Sequence, residues 1–401
     1  MELSLLRHLK KASDSKILMV VLDGLGGMPL KPTGLTELEM ANTPHLDALV
    51  FRGICGLHQP VGTGITPGSG PGHLALFGYD PLKYPVGRGV LGALGIGFDL
   101  KPDDVAARGN FCSVDDRGNI TDRRAGRIST EECETLCRRL REIRLPDAEI
   151  FIEPVRDYRF LLVIRGDGLD AEIKDTDPQE TGKPPLPPQP RSGKAKRTAE
   201  LVASFVKQAG EILSGQHPAN MVLLRGFSKK PDLPLMNDVF GLKAVAIAVY
   251  PMYRGVSRLV GMDVIETGDS FEEAYETLKK AWDAYDFFYF HVKKIDSAGE
   301  DGNFDQKVSL IEAFDENVPL LMDLKPQVLI VTGDHSSPAK LKSHSWHPVP
   351  VLLWSPNCRT DGVTRFGEKH CIDGSLGPRF PAIELMPLAL AHAMRLEKFG
   401  A

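Results

Sequence analysis

The sequence contains no apolar run of the roughly 18 residues that a membrane-spanning helix needs. Its longest, such as Ile17–Leu22, are strand-sized, so no membrane association is expected. Cysteine is sparse: six, at 55, 112, 133, 137, 358 and 371, scattered through 401 residues. A disulfide framework is therefore not expected, and reducing cytoplasm is the expected setting. The N-terminal MELSLLRHLKK lacks a charged start followed by an apolar stretch and a small-residue cleavage site, so no signal peptide is read there. A dominant charge is also missing. The 48 Lys and Arg against 53 Asp and Glu give −5, which argues against nucleic acid as a whole-chain partner while leaving room for a local basic pocket. There is no internal repeat of solenoid length.

What is present is an ordinary globular composition, 42% hydrophobic and 25% charged, long enough for two or three domains. Glycine and proline are in excess, 39 and 30 residues. Either the chain has floppy linkers, or its loops carry the work. Lys16–Leu22 (KILMVVL) is a continuous apolar run ending at Asp23-Gly24 and predicts a buried parallel strand. Met221–Leu224, Val245–Val249, Phe287–Val292 and Val328–Thr332 are similar runs. Helices are predicted between several of them. Ser129-x-x-Glu132 and Ser270-x-x-Glu273 are capping boxes, and 197–213 carries an apolar face at helical spacing. Strands alternating with helices predict an α/β fold.

Some motifs carry nothing. Gly87-Arg-Gly-Val-Leu-Gly92 matches G-x-G-x-x-G but follows a proline-bearing stretch instead of a strand. Ser69, flanked by Pro67 and Pro71, is not the G-x-S-x-G elbow of hydrolases. Cys133 and Cys137 fall on the apolar side of a predicted helix and are expected in its core.

Four places remain where a strand end meets a metal- or phosphate-capable side chain. They are Asp23, Asp296, Asp334-His335, and the His344-Ser-Trp-His347 segment. Each alone reads as a turn or capping residue. Together they offer carboxylates and imidazoles, the mixture that suits Mn²⁺ or Zn²⁺. Two clusters would suit two-metal phosphoryl transfer. The glycine-dense GTGITPGSGPGH (62–73) precedes a segment, HLALFG, that can start a helix. A helix N-terminus favours phosphate, so Ser69 is the candidate nucleophile, activated by a metal.

The strings VLDGLGGMP, ELEMANTPHLDAL, GITPGSGPGHLALFGYDP, DTDPQETG, FHVKKIDSAGEDGNF, VTGDHSSP and HSWHPVPVLL occur in an order that resembles the archaeal-type cofactor-independent phosphoglycerate mutases of the alkaline phosphatase superfamily. The resemblance covers nearly the whole chain. It implies an alkaline-phosphatase-like α/β core with a mostly parallel sheet between helices, split into 1–98 and 240–401. It also implies a smaller inserted α/β domain at 99–239 that clamps substrate. The implied activity is interconversion of 2- and 3-phosphoglycerate in glycolysis and gluconeogenesis, by a phosphoserine at Ser69 and without 2,3-bisphosphoglycerate. Other phosphoryl transfer on the same scaffold, homoserine kinase-like or phosphatase, is the alternative.

The resemblance further implies two divalent metals, Mn²⁺ or Zn²⁺ and otherwise Mg²⁺ or Co²⁺. Asp23, Ser69, Asp334 and His335 would hold one. Asp296, Glu300 and His344 would hold the other, with His347 in reserve; relatives usually carry histidine at position 300. Relatives also tend to have histidine where this chain has Tyr158. Of 24 arginines, 15 fall in 99–239. Arg123, Arg124, Arg127, Arg159 and Arg225 there, with Arg254 and Arg258, are candidates to clamp carboxylate and phosphate. Asp122 is either a general acid–base or a turn residue, and His73 either supports Ser69 from behind or touches phosphate. Asp175–Gly182 is expected to be an ordered loop. The sequence sets no oligomeric state.

Overall fold

The structure, a computed structural model, describes residues 2–400. In chain order its strands are Ile17–Leu22 (β1), Ile54–Gln59 (β2), Val105–Val114 (β3), Ile120–Asp122 (β4), Glu149–Arg156 (β5), Arg159–Arg165 (β6) and Met221–Ser228 (β7). There follow Ala244–Ile247 (β8), Asp263–Ile265 (β9), Phe287–Val292 (β10), Val328–Thr332 (β11), Val349–Trp354 (β12) and Gly377–Pro381 (β13). Two compact units divide the chain: one runs up to Pro85 and resumes at Leu233, and the other is Val86–Asp232. The sequence reading puts the seams at 98/99 and 239/240. Helix Arg88–Gly95 shifts the first seam, because Gly89 packs against the backbone of β3, where an added Cβ would sit 2.2 Å from Ala106 O. Helix Met236–Phe240 shifts the second. Its Phe240 ring meets Tyr79 edge-on at 6.0 Å, which ties it to the first unit.

The first unit is built on an eight-stranded sheet ordered β13-β2-β12-β11-β1-β10-β8-β9. Strands β11, β1, β10, β8 and β9 run parallel, and β12 is antiparallel to both β11 and β2. All six residues of β1 are buried, as expected of a parallel strand covered on both faces. Leu18, Val20, Leu22, Phe288, Phe290, Leu329 and Val331 share one core with Leu278, Ile311 and Phe314 of flanking helices. The register pairs Val21 with both His291 and Thr332. The segments after β1, β10 and β11 therefore leave the same edge of the sheet side by side, where open α/β sheets bind ligands. The capping box at Ser270 forms, its hydroxyl accepting from Glu273 N and its own N–H donating to Glu273.

The second unit carries a five-stranded sheet, β4-β3-β6-β5 with β7 also paired to β3, and every pairing is antiparallel. The apolar run at 221–224, read as resembling the parallel strands, is thus antiparallel. Helices Thr130–Leu140 and Lys196–Leu213 supply Cys133, Cys137, Val202 and Phe205 to its core. All six cysteines are free. Residues 175–182 are ordered by hydrogen bonds: Thr176 N donates to Leu224 O at 2.9 Å and Gly182 N to Ile120 O at 2.8 Å. Among the described residues no helix is long and apolar enough to cross a membrane.

Candidate active site

Helix Ser69–Leu76 starts at the serine itself, not beyond His73, with Gly68 at its N-cap. Gly72 lies against the loop after β11, where a Cβ would come 2.3 Å from Asp334 O. This contact brings Ser69 Oγ to 3.2 Å from His335 Nε2. Around that nitrogen stand Asp334 Oδ2 at 3.2 Å and Asp23 Oδ1 at 3.4 Å. Asp23, Asp334 and His335 are fully buried. The sequence-predicted set Asp23, Ser69, Asp334 and His335 is therefore gathered at one point.

A second group adjoins it. Asp296 and Glu300 lie one turn apart on helix Lys294–Asp301, spacing that puts both on one face. His344 Nε2 is 3.7 Å from Asp296 Oδ1 and 3.6 Å from Glu300 Oε1. His344 Nδ1 lies 3.0 Å from Pro67 O, and donation to that carbonyl leaves the Nε2 lone pair facing the carboxylates. The His344 ring stacks on His335 with centroids 3.6 Å apart. Glu300 is half-exposed, at 53%; burial, and then Asp296, raise its pKa above the ordinary carboxylate range. His347 lies apart from this group, bonded to Ser345 Oγ at 2.9 Å.

The donor set fits divalent cations. Asp23 Oδ1 and Asp334 Oδ2 are buried without an aligned hydrogen-bond donor, a costly condition for a carboxylate unless a cation is held there. Ligand atoms of Asp23, Asp334 and His335, and of Asp296, His335 and His344, lie within 4.8 Å of one another in each trio. Burial pushes the Asp23 carboxyl up, but Lys293 and then His291 and His335 outweigh it and hold it well below its usual range.

Several side chains at this site were not singled out by the sequence. Lys293 Nζ reaches Asp23 Oδ2 at 3.0 Å and also pairs with Asp296. Burial lowers its pKa, and the two carboxylates overcome that and raise it. The hydroxyl of Tyr253 donates to Asp23 Oδ2, with His291 at 3.4 Å from the same oxygen. Ser337 Oγ lies between Asp296 and His335. For Lys293 a signal existed, a lysine directly after an apolar strand and three residues before Asp296. Tyr253 and Ser337 had none.

His73 is fully buried. Its Nδ1 is 2.8 Å from Ser69 O and 3.2 Å from Asp334 Oδ2. It sits behind the aspartate, between Asp334 and the Ser69 carbonyl. Arg254 Nε donates to Ala248 O at 2.8 Å, and its Nη1 pairs with Glu266 at 3.3 Å. Arg258 is half-buried, and burial followed by the nearby Arg254 lowers its pKa.

In the second unit Arg123 makes a bidentate pair with buried Asp177, at 2.9 and 2.7 Å. Arg225 joins it, 3.5 Å from Asp177 Oδ2 and 3.0 Å from Gln179 Oε1. Those two guanidinium groups pin the 175–182 loop. Arg159 lies over the Tyr158 ring at 4.5 Å and reaches Asp157 at 3.2 Å. Arg124 and Arg127 are exposed and make no ion pair among the described residues. Both Asp122 oxygens accept backbone N–H groups, from Arg124 at 2.8 Å and Gly126 at 2.6 Å, the arrangement of a turn residue.

Comparison with known proteins places this geometry in a family. A family model described as 2,3-bisphosphoglycerate-independent phosphoglycerate mutase matches residues 51–220. A protein of Aquifex aeolicus named "Probable 2,3-bisphosphoglycerate-independent phosphoglycerate mutase" is 51% identical, covering 100% of both chains. One of the same name from Thermus thermophilus is also 51% identical, over 99% of this chain and 98% of its own. Among solved structures, a Pyrococcus horikoshii protein aligns with a TM-score of 0.82 at 31% identity, covering 98% of this chain and all of its own. The cofactor-independent phosphoglycerate mutase of Thermoplasma acidophilum aligns with a TM-score of 0.67 at 30% identity, over 94% of this chain and all of its own.

Proposed function

The chain belongs to the 2,3-bisphosphoglycerate-independent phosphoglycerate mutase family, a family of isomerases, and from that premise we propose that it interconverts 2- and 3-phosphoglycerate through a phosphoserine at Ser69. The observation that carries this is the placement of the Ser69 hydroxyl, at a helix start and 3.2 Å from His335 Nε2, beside two buried carboxylate oxygens that have no aligned donor.

In the proposed cycle Ser69 Oγ gives up its proton and attacks phosphorus, the Oγ–P bond forms, and the bond from phosphorus to the C3 oxygen breaks. The leaving oxygen takes a proton and free glycerate is held. Glycerate then turns so that its 2-hydroxyl, giving up its proton, attacks phosphoserine; the bond from the C2 oxygen to phosphorus forms, the Oγ–P bond breaks, and Ser69 Oγ takes a proton. Two divalent ions, Mn²⁺ or Zn²⁺ by the mixed carboxylate and imidazole donors, would neutralise the transferring group and acidify the serine hydroxyl. Asp23, Ser69, Asp334 and His335 would hold one, and Asp296, Glu300 and His344 the other. Lys293 and Tyr253 fix Asp23, and His73 fixes Asp334.

Glycerate must stay bound between the two transfers, or water takes the phosphoryl group instead. Arg124 and Arg127, which make no ion pair among the described residues, and Arg159, whose ion pair is with the partly exposed Asp157, are assigned to the glycerate carboxylate and the phosphate. Arg123 and Arg225 hold the 175–182 loop in place through Asp177. Arg254 and Arg258 remain candidates for the phosphate, and Asp122 for proton transfer once its turn opens.

The test supplies Mn²⁺ and 3-phosphoglycerate to the purified protein and measures 2-phosphoglycerate separately from free phosphate. The wild-type chain should form 2-phosphoglycerate, and Ser69→Ala should lose that activity while keeping its circular dichroism spectrum. Full mutase activity in Ser69→Ala would refute the phosphoserine route, and phosphate release alone would point to a phosphatase.

A further inference from the structure

Ser337 follows His335 by two residues and is fully buried. Its backbone is held from both sides: its N–H donates to Gly26 O at 3.0 Å, and its carbonyl accepts from Lys307 Nζ at 2.9 Å. Glycines pack around it. A Cβ on Gly24 would come 2.9 Å from Ser337 Oγ, and one on Gly299 would come 2.2 Å from Ser337 O. So crowded a hydroxyl has little choice of partner. It lies 2.7 Å from Asp296 Oδ1 and 3.1 Å from His335 Nδ1.

A serine hydroxyl has one proton to give. Given to the Asp296 carboxylate, it leaves the oxygen to accept from His335 Nδ1–H. His335 Nε2 then presents a lone pair toward Asp23, Asp334 and Ser69. His335 stands in both donor trios and Asp296 in one; in the two-metal assignment proposed above they serve different ions, so this one hydroxyl orients a ligand of each.

We infer that Ser337 is a positioning residue that fixes the Asp296 carboxylate and the His335 ring together, so that the two donor groups form as one unit. The inference rests on the two-metal reading proposed above. Hydrogen-bond partners of metal ligands are worth about 10–100-fold in metal affinity. Here the loss should fall on both sites, because the hydroxyl serves both.

The experiment titrates Mn²⁺ into metal-stripped wild-type protein and Ser337→Ala by calorimetry, and follows mutase rate against free Mn²⁺. The wild-type chain is expected to bind two ions. Ser337→Ala should bind two with both affinities at least about 10-fold weaker, and its metal-free melting midpoint should stay close to that of wild type. At saturating Mn²⁺ its kcat should return to near the wild-type value, because Ser337 acts through the ligands and does not touch substrate. Unchanged isotherms in Ser337→Ala, over intact two-ion binding by wild type, overturn the inference and leave the metal reading standing. A loss confined to one site overturns the shared role. Failure of the wild-type chain itself to bind Mn²⁺ overturns the metal reading, and this inference with it.

Discussion

Lys307 is the sharpest test of how the site's loops are held. It lies inside helix Phe304–Asp315 and is fully buried. Its ammonium donates to Gly24 O, Gly26 O and Ser337 O at 2.9, 3.0 and 2.9 Å. Glu37 Oε1 is 3.9 Å away. Gly24 and Gly26 belong to the loop after β1, and Ser337 to the loop after β11, so one ammonium ties the segments that carry Asp23 and Asp334. Lys307→Met keeps the length of the side chain and removes its donors. Gly24 O and Gly26 O still have the Ser337 N–H, at 3.3 and 3.0 Å, but Ser337 O loses its donor outright. An orphaned buried carbonyl costs about 1–3 kcal/mol, and leaving Glu37 without its cation costs a comparable amount, partly offset because a buried ammonium no longer needs desolvating. The net expectation is a loss of about 2–4 kcal/mol. Urea unfolding of the metal-free protein, with the slope m compared between the two chains, measures it. A loss below about 1 kcal/mol at unchanged m would refute the account of Lys307 as a tie between the two loops.

Two other outcomes follow from the same geometry. His58 on β2 is fully buried, its Nε2 3.0 Å from both Thr332 Oγ1 and Gly333 O, and burial pushes its pKa from 6.5 down to about 4. A base depressed in the folded state contributes fully above its unfolded pKa, and that stability is lost as pH falls from about 6.5 toward about 4. At roughly 1.4 kcal/mol per pH unit the span is worth about 3 kcal/mol. The stability gap between wild type and His58→Gln should therefore shift against wild type by that order between about pH 7.5 and about 4.5, and parallel curves would sink the assignment. Gly72→Ala drives a methyl into Asp334 O, 2.3 Å from the ideal Cβ, and must separate Ser69 from the donor group. It should cut kcat by at least about 10-fold, by the sensitivity of such sites to displacements near 1 Å, with far-ultraviolet circular dichroism unchanged. A kcat within twofold of wild type would contradict the close approach.

Much of the site was legible because strand ends announce themselves. KILMVVL, FFYFHV and VLIVT are apolar runs long enough only for strands, and Asp23, Asp296 and Asp334 lie at or just beyond them. The parallel register then did the rest. What escaped were residues whose role depends on partners far along the chain. Tyr253 meets Asp23 across 230 positions, and Lys307 meets Gly24 across 283. In sequence, one looks like a helix aromatic and the other like one more surface lysine. The seams read from the sequence differ from the division at Pro85 and Leu233 for a related reason. Helix Arg88–Gly95 carries no mark that it packs on β3 until β3 is folded beside it. Arg123 looked as free as Arg124, and only the structure brings Asp177, 54 residues later, into its fork.

The neighbours of β1 in the sheet have a bearing on how the protein is made. Strand β1 ends at Leu22, yet it pairs only with β10, which ends at Val292, and β11, which ends at Thr332. On a ribosome, Asp23 emerges early and waits for about 310 further residues before its flanking strands exist. At the usual 5–20 residues per second this is an interval of roughly 15–60 s. All of Val86–Asp232, whose strands pair only with one another, is made in that gap. It can complete its sheet while β1 remains a single exposed apolar run. The nascent chain therefore carries a continuous apolar strand segment unpaired for most of its synthesis. It cannot bring Asp23, Asp334 and His335 together until translation has nearly finished.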